Sequence, residues 1–237
     1  MTPNHISEYN EKSLHAQLKA IYSTSTSQTE AAVDGWIVDV LDGDLCIEIQ
    51  TGNLSAIKHK LEKLLENHRV LLVIPIARDR TFIRLSREGE VIPRGPVIKH
   101  HKPLEMFNHL IHIPHLLGNP NLIIDLVLIR EEVVWQEDDK GSWRRKGWII
   151  ADRRLVEIIN RIRINNLHDL LSILQAVPLA EFTNQDLAES LNCNLKLAGR
   201  ISYTFRKAGV FEDIGKKGRY RLMQVADEYY PLSPFSS

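Results

Sequence analysis

The stretch Val33-Asp34-Gly35-Trp36-Ile37-Val38-Asp39-Val40-Leu41-Asp42-Gly43-Asp44-Leu45-Cys46-Ile47-Glu48-Ile49-Gln50 decides the fold, with the lysine-bearing segment that follows it to Lys60. Its text is rich in Ile, Val and Leu, yet Asp39, Glu48 and Gln50 stand inside it. A carboxylate placed where a strand should be hydrophobic costs stability unless something uses it. Asp42-Gly43 between two β-rich runs predicts a tight hairpin. A loop of those two residues pairs Leu41 with Asp44, Asp39 with Cys46 and Ile37 with Glu48. Because strand faces alternate with period two, Asp39, Glu48 and Gln50 then project from one side. Asp39 and Glu48 become diagonal neighbours, roughly 7 Å apart at the backbone and within reach of one ion. The same spacing also fits the wet side of an ordinary hairpin, where polar and apolar residues alternate.

Outward from this hairpin, the pattern predicts a helix over 7–22, with Leu14, Leu18 and Ile21 as its apolar stripe and Glu11 and His15 one turn apart beside it. A loop is expected over 23–29. After the hairpin, Gly52-Asn53 opens a helix with Leu54, Ile57, Leu61, Leu64 and Leu65 on one face. The uninterrupted apolar run Val70–Ala77 then reads as the buried strand of a β-α-β crossover. A hairpin over 81–92, a connector over 93–103, a helix over 104–117 and a strand over 122–130 complete the first unit. Trp143-Arg144-Arg145-Lys146-Gly147-Trp148 reads either as a nucleic-acid contact or as a hairpin arm with core tryptophans, and the arm is the plainer choice. The histidines at 100, 101, 109, 112 and 115 are assigned no role.

Beyond Asp152 the pattern changes. Helices are expected over 155–164 and 167–176, then a capped start at Thr183 with Asp186 in the capping-box position. A turn over 192–194, a helix over 195–208 and short strands over 210–214 and 220–224 follow, the strands joined by Gly215-Lys216-Lys217-Gly218-Arg219. Helix, helix, turn, helix and a basic hairpin is the order of a winged helix-turn-helix. Residues 231–237 are expected to form a disordered tail.

Composition bounds the function only loosely. The 237 residues carry 30 Lys+Arg against 30 Asp+Glu, so nucleic-acid affinity must come from local patches. No apolar run reaches the length of a membrane span, and no signal-peptide core is evident. Cys46 and Cys193 lack metal-ligand spacing and read as reduced thiols of a cytoplasmic protein.

Asp39, the eight-residue gap, Glu48-Ile49-Gln50, the helix and the buried strand together resemble the core of the PD-(D/E)XK nuclease superfamily. The resemblance covers residues 7–77 most fully. It departs at Gln50, where the superfamily pattern has lysine. Some branches carry Gln there or move the lysine to the next helix, where Lys58 and Lys60 stand and Lys60 is preferred. The resemblance implies an α/β fold, a restriction-endonuclease-like core with a mixed central sheet flanked by helices over 1–152, before a winged helix over 153–230. It implies Mg²⁺ or Mn²⁺ on Asp39 and Glu48. Gln50 would orient the attacking water, Lys60 would stabilise developing charge, and Glu11 would be the acid that the first helix contributes.

Between Lys196 and Arg221 eight cations face two acids, Glu212 and Asp213, in a neutral chain. Lys196, Arg200, Arg206, Lys207, Lys216, Lys217 and Arg219 are the candidate DNA contacts, since phosphate contacts by Lys and Arg supply most sequence-independent affinity. The expectation is a metal-dependent DNA endonuclease targeted by a winged helix, without membrane association, acting as a homodimer or in a larger nucleoprotein complex. The alternatives are a non-catalytic DNA-binding regulator on a decayed core, and a scaffold whose winged helix docks protein.

Overall fold

A computed structural model describes residues 13–92, 99–137, 147–178 and 180–230. The fold is α/β, with a mixed sheet. Its strands are β1 (Gln28–Val33), β2 (Trp36–Asp42), β3 (Leu45–Ile49), β4 (Arg69–Leu85), β5 (Lys99–His100), β6 (Leu122–Glu137) and β7 (Trp148–Ile164). The order across the sheet is β1-β2-β3-β4-β6-β7, and the short β5 pairs with β4.

By internal contacts the chain divides into two compact units: 1–51, 71–103 and 125–162 in one, and 52–70, 104–124 and 163–237 in the other. In the first unit, α1 (Ser13–Tyr22) buries Leu14 and Leu18 against β2 and β3. Ile21, expected in that stripe, is 43% exposed. The helix is tied to the strands by polar contacts. Ser13 donates to Asp152 from its amide (3.1 Å) and its hydroxyl (2.8 Å), and Gln17 accepts the Leu155 N–H (2.8 Å). The Tyr22 hydroxyl reaches the buried Asp125 carboxylate on β6 (3.1 Å).

Several expectations change. β1, read as loop at its start, is a strand closed onto β2 by Asp34-Gly35, both at positive φ (48° and 81°), as a type I′ turn requires. The 155–164 segment is not a helix. It is the second half of β7, which runs straight through Asp152, where the sequence placed the domain boundary. Leu155, Ile158, Ile159 and Ile162 recur at helical spacing, but the segment's β-branched residues also suit a strand, and a partner strand decides between the two. The 104–117 segment is broken into short turns (Pro103–Met106, α3 at Phe107–Leu110, and Pro114–Leu116), because Pro114 cannot continue a helix.

The second unit holds α2 (Lys58–Asn67), which buries Leu61, Leu64 and Leu65 as its periodicity predicts. It also contains α4 (Leu167–Ser172), α5 (Asn184–Ser190), α6 (Leu195–Lys207) and a hairpin of β8 (Phe211–Lys217) and β9 (Tyr220–Val225). Thr183 caps α5 and Asp186 completes the capping box. Phe107, Phe205, Phe211 and Phe182 form a buried chain with ring centroids 5.3, 4.9 and 5.1 Å apart. A single bridge joins Phe182 to Met223 beside the hairpin. Among the described residues no helix is long and apolar enough to cross a membrane.

Candidate active site and basic hairpin

The β2–β3 loop is Gly43-Asp44, one residue later than expected, with Gly43 at φ 62°. The register pairs Asp42 with Leu45, Leu41 with Cys46 and Val40 with Ile47. Each partner therefore moves by two positions, which changes the neighbours but preserves the face. Asp39 and Glu48 are the next residues after the last pair, on the side shared by Leu41 and Cys46. Continuing that register by one pair sets them across from one another rather than diagonally.

Asp39 is embedded in contacts. Its Oδ2 accepts the Ile49 N–H at 2.7 Å and lies 3.3 Å from His15 Nε2 on α1. Glu48 is only 4% exposed, in a strand buried on both faces. Gln50 follows directly, its N–H donated to the Val73 carbonyl at 2.9 Å. On the other flank, Glu30 stands level with Asp39 between the pairs Thr29–Val40 and Ala31–Val38. Glu30 has φ 51°, a left-handed conformation that costs a non-glycine residue about 1 kcal/mol or more, and its carboxylate meets Lys19 of α1 at 3.0 Å. Strained residues of this kind gather at functional sites.

A second polar cluster lies in the same unit. Glu131 of β6, fully buried, takes Arg80 Nε of β4 at 2.5 Å and Arg153 Nε and Nη2 of β7 at 3.1 and 2.7 Å. Arg153 Nη1 donates onward to the Thr51 carbonyl, 3.1 Å away. Sequence reading missed this cluster, because Glu131 stands in the charged run Arg130-Glu131-Glu132, which lacks the isolation in apolar text that picked out Glu48. Burial pushes the Asp152 carboxyl up, but the Ser13 hydroxyl and amide, with Arg154, outweigh it and hold that group below the usual carboxylate range.

Among the other expected site residues, Lys60 is half-buried on α2 in the second unit, and Lys58 on the same helix lies 3.8 Å from Glu62. Glu11 and residues 143–146 lie outside the described residues, as does the tail from 231. Among the described residues, no group of three or more His, Cys, Asp or Glu side chains is arranged to hold a metal. Two carboxylates with an amide oxygen still fit Mg²⁺, which binds one or two protein carboxylates and fills its shell with water and phosphate oxygens. The histidines set aside in the sequence make local contacts: His115 to Glu62 (2.8 Å), His109 to the Gly52 carbonyl (2.9 Å) and His100 to Asp79 (2.8 Å).

The basic module sorts its charges. Lys196, Lys207, Lys216, Lys217 and Arg219 are exposed. Arg200 is half-buried and donates to Asn108, and Arg206 and Arg221 both close on Asp213, Arg206 at 2.7 Å. Arg200 and Arg206, both expected on the DNA face, therefore already have protein partners. The strands run on to Lys217 and Tyr220, leaving a two-residue turn, Gly218-Arg219, in place of the longer loop read from sequence.

The family model described as a domain of unknown function, DUF8091, matches residues 12–165. An uncharacterized protein of Treponema pallidum (strain Nichols) is 30% identical over 217 residues, which is 90% of this chain and 84% of that protein. No solved structure matches.

Proposed function

The chain belongs to the DUF8091 family, and we propose that it is a metal-dependent DNA endonuclease whose C-terminal module, read as a winged helix, holds the substrate. The observation that carries this is the β2–β3 register, which continued by one pair puts Asp39 and Glu48 on one face of the hairpin, with Glu48 buried. A carboxylate removed from water is expensive to keep ionised, and a cation relieves that cost. The restriction-endonuclease-like resemblance assigns the same two residues to the metal.

On this reading Asp39 and Glu48 hold Mg²⁺ or Mn²⁺. The ion, when bound, supplies charge neutralisation at the phosphodiester and a more acidic water. Asp39 is oriented for that task by the Ile49 amide and by His15. Gln50, fixed at the backbone by Val73, offers an uncharged amide that orients water by hydrogen bonding without altering the charge of the site. The exposed lysines of α6 and β8, with Arg219 of the turn, bind phosphates and so supply affinity without sequence information.

Nicking of supercoiled plasmid in Mg²⁺ tests the assignment. Asp39→Ala and Glu48→Ala are each expected to lose at least about a hundredfold in rate, the scale of removing several kcal/mol of charge stabilisation. Unchanged nicking by both variants sinks it. A second reading, a DNA-binding regulator without chemistry, is favoured by Gln50 at the lysine position. It predicts salt-sensitive DNA binding with no Mn²⁺ binding that Glu48→Ala removes.

A further inference from the structure

Arg80, Phe82 and Arg84 alternate along β4 and so share one face of the sheet. Each has a partner on another strand of the sheet. Arg80 joins Arg153 on the buried Glu131, the Phe82 ring meets Trp135 of β6 edge-on at 5.9 Å, and the Arg84 guanidinium lies 5.0 Å over the Trp148 ring of β7. The result is a stripe of guanidinium, ring, guanidinium across three strands, with Phe82, Trp135 and Trp148 all half-buried.

Charge separates this stripe from ordinary packing. Two guanidiniums, those of Arg80 and Arg153, share the Glu131 carboxylate, and both of its oxygens are already taken. Glu131 is fully buried while the Arg80 and Arg153 side chains keep 28% and 17% of their surface exposed, so the cations are anchored from below and open to solvent above. A buried carboxylate that fixes guanidiniums pre-orients them, so less side-chain freedom is lost when an anion arrives. Among the described residues, Glu131 is the hydrogen-bond partner of Arg80 and it is met through Nε, which leaves the Nη edge without a hydrogen bond. An anion that accepts bidentate hydrogen bonds, such as a phosphodiester, fits that edge.

We propose that this stripe is a contact surface for a single nucleic-acid strand, with Arg80, Arg84 and Arg153 facing phosphates and Phe82 and Trp148 stacking against unpaired bases. Interleaved rings and cations make a stacking platform, and base faces are available to rings only when the strand is unpaired. An acidic peptide would use the charges and leave the rings idle. The inference shares a nucleic-acid ligand with the endonuclease reading but requires neither the carboxylate pair nor a metal.

The test uses the full chain in EDTA, with fluorescence anisotropy of a labelled oligothymidylate of about 20 nucleotides and of a duplex of equal length. Arg84→Glu and Trp148→Leu are each expected to weaken oligothymidylate binding about tenfold or more, since base–ring stacking and phosphate contacts carry that scale. Arg84→Lys should retain most of it, and duplex affinity should stay within about twofold in all three. Circular dichroism establishes that each variant folds. Should Trp148→Leu fail to fold, quenching of wild-type tryptophan fluorescence by the oligothymidylate is the substitute readout. No quenching at saturation overturns the proposal, as does undiminished binding by folded Arg84→Glu. Polyglutamate displacing the strand at matched charge overturns it in favour of an acidic protein partner. Loss of nicking in the Asp39 and Glu48 variants leaves this binding untouched, so the two readings fail separately.

Discussion

The β2–β3 and β8–β9 hairpins share a turn design and differ in almost everything else. Each closes through a two-residue loop whose first residue is glycine in the left-handed region, Gly43 at φ 62° and Gly218 at φ 63°. β3 then buries four of its five residues, Glu48 among them, whereas β8 buries only Phe211 and exposes the other six. Ionised groups are cheap to place in water and costly out of it. Glu48 therefore carries more information than any single lysine of the basic hairpin. Charges around the exposed hairpin are also less informative singly, because Arg206 of α6 and Arg221 of β9 both close on Asp213.

The largest effect expected from this contrast is on duplex binding. Replacing Lys216, Lys217 and Arg219 together with Ala should weaken affinity by about a hundredfold at low salt and flatten the salt dependence by about three phosphates' worth. Binding by Asp39→Ala and Glu48→Ala should match wild type. A titration against NaCl measures both, and equal loss from the two hairpins would erase the distinction.

Turn substitutions sharpen it further. Gly43→Ala and Gly218→Ala introduce a Cβ that meets nothing within 4 Å, so only the backbone conformation resists. Each should cost about 1–2 kcal/mol in urea unfolding. Only Gly43→Ala should also lower plasmid nicking, since it alone lies in the hairpin that presents the carboxylates.

Asp213→Ala should change stability by less than about 1 kcal/mol, because the pairs it breaks are exposed. It should strengthen duplex binding a few-fold by releasing Arg206 and Arg221. Weaker binding would show that Asp213 shapes the basic face rather than neutralising it.

The smallest effect concerns pH. Asp152, held below the usual carboxylate range on balance by its Ser13 and Arg154 contacts, stabilises the fold above the unfolded-state pKa. That contribution disappears as pH falls through its lowered folded value. Asp152→Asn should therefore flatten the acid limb of a stability–pH curve and leave its neutral plateau lower. An unchanged acid limb would mean that α1 is held without this anchor.

Local chemistry was legible in the sequence wherever a few adjacent residues settle the outcome. Thr183 and Asp186 announce the start of α5, the predicted face buries Leu54, Leu61, Leu64 and Leu65 and leaves Ile57 half-buried, and Val70–Ala77 lies within a strand. The turn at Asp34-Gly35 was equally readable, yet β1 lacks the dense apolar text that drew attention to β2 and β3. β7 was misjudged for a different reason. Its isoleucines satisfy helical and strand spacing alike, and only β6 beside it distinguishes the two.

The amino-acid order put Asp39 and Glu48 on one face of the second hairpin for any loop of even length, because faces alternate with period two. It also fixed the Thr183–Asp186 cap of α5, which rests on contacts a few residues apart. Tertiary structure decided that the β2–β3 register sets Asp39 across from Glu48, that His15 reaches Asp39, and that Glu131 gathers Arg80 and Arg153 from two other strands. Those outcomes depend on groups 9 to 51 positions apart, whose meeting follows from how the strands pair and curve rather than from any local preference.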